Sequence, residues 1–171
     1  MEKNSVKVTF GGNPITLIGK EVKVGQAAED FTVLSSGLKP VKLSNYEGKV
    51  KIISVFPSVD TSVCSAQNHR FNKEASTLSD KIQIIGISND LPFALGRYCG
   101  AEGIDRIVTL SDHKDVDFGL KYGFLIQELR LLTRGVVVVD KNNIVRYVEY
   151  VPEVTHEPNY EAAIKVAKEL V

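Results

Sequence analysis

The chain is poor in sulfur and imidazole: it has two cysteines, one methionine, three histidines and no tryptophan. Two cysteines are too few for a disulfide scaffold, and Cys64 and Cys99 are not spaced as C-x-x-C, the simplest redox dithiol motif. With His69, His113 and His156 scattered and no further thiol available, a closed zinc site has no support. Neither sign of charge dominates, since 21 Lys and Arg balance 21 Asp and Glu, so the basic footprint that a phosphate backbone requires is missing. No stretch approaches the ~20 apolar residues of a membrane span. Residues Met1 to Val8 alternate polar with apolar and lack the apolar centre of a signal peptide. The expectation is a cytoplasmic protein with neither nucleic acid nor membrane among its partners, whose two thiols form a catalytic pair.

What remains is ordinary for a globular chain: 171 residues, 43% hydrophobic and 25% charged, enough for one domain over 1–171 with a sizeable core. Val6, Val8 and Phe10, the turn Gly11-Gly12-Asn13-Pro14 and the apolar run Ile15 to Ile18 predict an N-terminal β-hairpin. Phe31 to Leu34 and Val41 to Leu43 bracket a further turn. Val50 to Phe56 and Ile82 to Ile87 read as buried strands, each followed by a helical segment, and that order indicates a βαβ crossover with parallel central strands. Ile107 to Leu110 is a short strand, Asp115 to Tyr122 a helix ended by Gly123, and Val136 to Val148 a hairpin whose Val-rich half belongs in the centre of the sheet. The last helix starts near Pro158 and carries Tyr160, Ile164, Ala167 and Val171 on one face. The fold class is α/β, a mixed central sheet flanked by helices, with the hairpin in front.

Within this frame one segment stands out. Pro57 ends a buried strand, Asp60, Thr61 and Ser62 are all good N-cap residues, and Cys64, Phe71, Ala75 and Leu78 form one face of the helix that follows. Cys64 then lies within a turn of a helix N-terminus, where free backbone N–H groups and the helix dipole favour thiolate over thiol. The bland alternative is a cysteine that packs as a small hydrophobe. Thr61, one turn earlier, can place a hydroxyl beside the sulfur.

The spacing Pro57-x-x-x-Thr61-x-x-Cys64 resembles the active-site signature of peroxiredoxins, and the run on to Phe71-Asn72 is similar to their thiol peroxidase branch. Leu91-Pro92-Phe93-Ala94 with Arg97 and Cys99-Gly100 resembles the segment that carries the resolving cysteine. Leu131-Leu132-Thr133-Arg134 resembles the one that supplies the active-site arginine, and Val151-Pro152-Glu153-Val154 with Glu157-Pro158 and Tyr160 is also typical. The resemblance implies a thioredoxin-like fold and a peroxidase acting on hydrogen peroxide and organic hydroperoxides. Cys64 would be the nucleophile, Pro57, Thr61 and Arg134 its pocket, and Cys99 the resolving thiol of an intramolecular disulfide. Metal, flavin and haem would not be needed; the reductant would be a dithiol protein such as thioredoxin, and the protein a homodimer. From the residues themselves, Arg97, Arg106 and Arg130 compete with Arg134. A general thiol–disulfide oxidoreductase and a non-catalytic binding or chaperone module on the same fold are the other readings, although the wide spacing of the thiols and the presence of Thr61, Cys64 and Arg134 disfavour them. Gly96, Gly100 and Gly103 mark residues 92–103 as a weak helix able to unwind.

Overall fold

The computed structural model describes residues 2–171, and Met1 lies outside them. An antiparallel hairpin of β1 (Val8–Phe10) and β2 (Asn13–Ile15) opens the chain, and β3 (Leu17–Ile18) pairs with β9 (Leu125–Ile126). The main sheet is built from β4 (Thr32–Leu34), β5 (Pro40–Lys42), β6 (Val50–Val55), β7 (Ile82–Ser88), β8 (Val108–Ser111), β10 (Gly135–Val139) and β11 (Val145–Tyr150). Its spatial order is β11-β10-β6-β7-β8-β4-β5. Among the described residues there are four α-helices, α1 (Ser62–Ala75), α2 (Pro92–Glu102), α3 (Asp117–Tyr122) and α4 (Tyr160–Glu169), and a short 3-10 helix at Leu43–Tyr46.

The predicted crossover is present. β6 and β7 run parallel, from Val50 opposite Ile82 to Val55 opposite Ile87, and β8 runs parallel to β7. The carboxyl ends of three adjacent strands therefore point the same way, the edge at which open α/β sheets place their ligands. Successive side chains of a strand face opposite ways, so a strand that is apolar at every position must be covered on both faces. Ile53, Val55, Ile85, Ile87, Val137 and Val139 pack with Phe31, Phe118, Tyr122 and Phe124 on one side. Val50, Ile52, Ile82, Ile84, Val136 and Val138 meet Phe71 of α1 and Tyr160, Ala163, Ile164 and Ala167 of α4 on the other. Lys51 breaks the apolar run of β6, yet it is fully buried, its Nζ donating to Asn143 Oδ1 at 2.8 Å and to the Asp140 carbonyl at 3.3 Å. Burial lowers its pKa, against the pull of the Asp140 and Glu47 carboxylates.

Several expectations change in detail. The run Ile15 to Ile18 is not one strand: it divides at Thr16, whose N–H donates to the Glu128 carboxylate at 2.9 Å, and its halves pair with β1 and β9. The Val-rich β10 is interior but second from the edge, because β6 and β7 hold the middle. Leu78 falls past the end of α1 and reaches the core from the following turn. Pro158 precedes the Asn159 cap of α4, and Val171 lies beyond that helix, exposed.

The third helix begins two residues later than its pattern suggests, because Val116 at φ 45° stands before it. Asp112, 2% exposed at the end of β8, accepts the N–H groups of Phe118 at 3.0 Å and Gly119 at 2.8 Å. Burial outweighs these donors and, with Asp117 and Asp115 nearby, raises its pKa from 3.8 to about 7. Folded protein thus holds a proton that the unfolded chain releases near pH 4. The stabilisation is complete below that range and lost as pH rises through about 7. Urea unfolding followed by circular dichroism is expected to show stability declining between about pH 4 and pH 7, and Asp112→Asn is expected to flatten that slope.

Candidate active site

The site is assembled where β6 gives way to α1. Pro57, buried, follows Phe56, whose N–H makes the last bond to β7 at the Ile87 carbonyl, 3.2 Å away. The chain then turns over Ser58, whose carbonyl accepts both the N–H and the hydroxyl of Thr61 at 3.2 Å. Of the three capping candidates it is Thr61 that caps: its backbone is extended (φ −104°, ψ 148°), and its Oγ1 accepts the Cys64 N–H at 3.4 Å. This satisfies one of the N–H groups left free at a helix start. Cys64 is the third residue of α1, fully buried among Phe56, Val59, Leu95 and Tyr98.

Arg134 is 2% exposed, whereas Arg97, Arg106 and Arg130 are all exposed. Its Nε donates to the Val154 carbonyl at 2.7 Å and its Nη1 to Gln67 Oε1 at 2.8 Å. Gln67 sits one turn beyond Cys64 and is itself fully buried, donating through Nε2 to Ser54 Oγ at 2.7 Å and the Val55 carbonyl at 3.2 Å. The guanidinium thus reaches the cysteine's helix through Gln67, a residue that sequence reasoning missed. The available signal was a polar side chain at i+3 from the cysteine on a buried face. Beside Val154, the Glu153 carboxylate accepts the Thr9 and Thr155 hydroxyls and the N–H groups of Gly11, Gly12 and Thr155, all between 2.7 and 3.0 Å. These donors, Thr155 first, hold its carboxyl well below the usual carboxylate range.

Cys99 lies apart from this group. Both cysteines are free thiols, and Cys99 packs against the α4 side of the sheet with its Sγ 3.3 Å from Thr109 Oγ1 of β8. Burial pushes its pKa up, against the Thr109 hydrogen bond. Its helix, α2, buries only Pro92 and Leu95, and Phe93 is 67% exposed. A polar seam along α1 holds α2 and the segment that follows it. Ser65 Oγ meets Tyr98 Oη at 3.0 Å, His69 Nε2 meets Glu102 Oε1 at 3.1 Å, and Asn72 Oδ1 accepts the Arg106 N–H at 2.7 Å. Gly96 is more than a weak point in the helix: a β-carbon there would lie 3.3 Å from that of Ser36, so the glycine permits close approach to the β4–β5 turn. Gly100 faces open space.

A mixed sheet with helices on both faces, and a thiol at the start of the helix that follows a central strand, is the arrangement of a thioredoxin-fold thiol protein. The Redoxin sequence profile matches residues 23–164. The thiol peroxidase of Oceanobacillus iheyensis is 58% identical over 157 residues, 92% of this chain and 95% of that protein. The one from Bacillus subtilis is 56% identical over 165 residues, 96% and 98% of the two chains. The chain therefore belongs to the Redoxin family, in its thiol peroxidase branch. A solved peroxiredoxin-like protein from Aquifex aeolicus superposes with a TM-score of 0.91 at 34% identity over 100% of both chains. The fold is shared by a thiol peroxidase from Chromobacterium violaceum, with a TM-score of 0.86 at 22% identity over 97% of each chain.

Gln67→Leu keeps the volume but leaves the buried Arg134 Nη1 and Ser54 without their partner. Loss of such a bond costs about 1–3 kcal/mol, more when one partner is charged. Urea unfolding of this variant is expected to show a loss of at least that size with an unchanged denaturant slope.

Proposed function

We propose that this protein is a thiol-dependent peroxidase for hydrogen peroxide and organic hydroperoxides, in which Cys64 attacks the peroxide and Cys99 resolves the product. The reading is carried by one observation: Cys64 stands buried on a Thr61-capped helix start while Gln67, one turn on, holds a buried guanidinium. The sulfur forms a bond to the terminal peroxide oxygen as the O–O bond breaks, and the departing alkoxide takes a proton to leave as alcohol or water. The Thr61 hydroxyl orients the oxygen, and the planar cationic fork of Arg134 stabilises the charge that develops on the leaving oxygen. Pro57 shapes the wall of the pocket.

Cys64 is then a sulfenic acid. The Cys99 sulfur displaces water from it to form a disulfide, which a dithiol protein such as thioredoxin reduces by exchange. That bond needs Cα atoms roughly 4.4 to 6.8 Å apart and side chains aimed at each other. Cys99 is turned toward Thr109 while Cys64 faces Leu95 and Tyr98, so α2, with two buried residues, is the element that unwinds. The working unit in this reading is a homodimer in the cytoplasm. Among the described residues no helix is long and apolar enough to cross a membrane.

Stopped-flow measurement with stoichiometric reduced protein tests the reading. Wild type is expected to consume one equivalent of peroxide and Cys64→Ser none, while reduction of a protein disulfide without loss of peroxide would replace peroxidase with general oxidoreductase. For α2, Gly100→Ala adds helix propensity of roughly 1 kcal/mol at a position where the new methyl meets nothing. Disulfide closure is expected to slow and sulfinic acid, read by mass spectrometry after a peroxide pulse, to rise, with the first step unchanged.

A further inference from the structure

The turn that carries Thr61 has no hydrophobic anchor of its own except Val59, and its position is set from across the sheet. The Asp90 carboxylate accepts the Ser58 hydroxyl at 2.8 Å through Oδ1 and the Val59 N–H at 3.0 Å through Oδ2. The same carboxylate accepts the Ser88 hydroxyl at 2.7 Å, and the Asp90 carbonyl accepts the Ser111 hydroxyl. Hydroxyls from just beyond β6 and from the last residues of β7 and β8 therefore converge on one aspartate. Ser58 passes the constraint on: its Oγ accepts the Asp60 N–H at 3.1 Å, and its carbonyl accepts both the N–H and the hydroxyl of Thr61. Thr61 in turn caps the helix at Cys64.

We propose that Asp90 is a positioning residue for peroxide reduction, fixing the Ser58–Thr61 turn and through it the direction of the Thr61 hydroxyl. This inference rests on the peroxidase reading above. Asp90 precedes Leu91, the cap of α2, and is held by β7 and β8 rather than by that helix. It is accordingly the fixed post at which unwinding of α2 stops, so the Ser58–Thr61 turn keeps its place while Leu95, Tyr98 and Cys99 leave and return. A carboxylate suits the task because all three groups facing it are donors, and it can accept from each at once.

The test separates orientation of peroxide from reactivity of the sulfur. In a Cys99→Ser background, the single-turnover rate with hydrogen peroxide is compared with the rate of Cys64 alkylation by iodoacetamide, which needs the thiolate but no oriented oxygen. Asp90→Ala is expected to lower the peroxide rate by about tenfold or more, as a misplacement of an ångström can, with alkylation little changed. Ser58→Ala is expected to give part of the same loss, and the double variant no more than Asp90→Ala, because both act through one turn. A general loosening of the fold would instead speed alkylation and lower urea stability in step with the lost activity. An unchanged ratio of the two rates, or fully additive losses, overturns the proposal. Should Asp90→Ala fail to fold, Asp90→Asn, which keeps the shape and replaces one acceptor with a donor, gives the same comparison. If the Cys99→Ser parent itself consumes no peroxide, the peroxidase reading fails, a result distinct from a reactive parent whose Asp90 variant matches it.

Discussion

The arrangement around the thiol depends on a guanidinium withdrawn from water. An ion buried as deeply as Arg134 is tolerated only when its donors find partners, since desolvating an unpaired charge costs more than most single contacts return. The partners are a carbonyl from the segment after β11 and the amide of Gln67, and Gln67 in turn spends its own donors on the end of β6. Four pieces of chain distant in sequence are thus held together by one charge. The position of α1 relative to β6, and hence of Cys64, is tied to that satisfaction as firmly as to apolar packing.

Against this rigid base, α2 is bound by a different kind of contact. Its buried surface is small, and beyond Leu95 and Tyr98, which pack around Cys64, its attachments to α1 are side-chain hydrogen bonds and the His69–Glu102 pair, whose members are 47% and 45% exposed. Exposed pairs of this kind contribute about 0–1 kcal/mol each. A helix docked by such contacts opens locally at far less cost than the sheet does. The two thiols therefore sit on elements of unequal stability.

The sequence was legible where the signal is local. A strand ended by proline, a run of capping residues and a cysteine three positions past the cap are all properties of one segment, and each is found where it was read. The β6–β7 crossover was legible too, because buried parallel strands are continuously apolar. Gln67 and Lys51 escaped because what buries a polar side chain is its partner, and half-buried Asp90 because its place in the site depends on what it accepts from. Those partners, Arg134, Ser58 and Asn143, are contributed by other parts of the chain. Phe93 lies about 200° around the helix from Leu95, so only one of these two apolar side chains can face the core. Gly96 was read through propensity alone, although its lack of a β-carbon also serves the approach of Ser36.

The Glu153 cage has a kinetic side. The β1–β2 hairpin is a local pairing that can form early, but its turn is fastened by Gly11 and Gly12 to a carboxylate more than 140 positions later in the chain. Closing a loop of that length loses chain entropy before any contact offsets it, and contacts of high sequence separation slow folding. The neighbouring carbonyl that holds Arg134 comes from the same late segment. Both cysteines therefore leave the ribosome before the segment that fastens Arg134, and the guanidinium that Gln67 holds beside the first thiol's helix lacks its carbonyl partner until Val154 has been made.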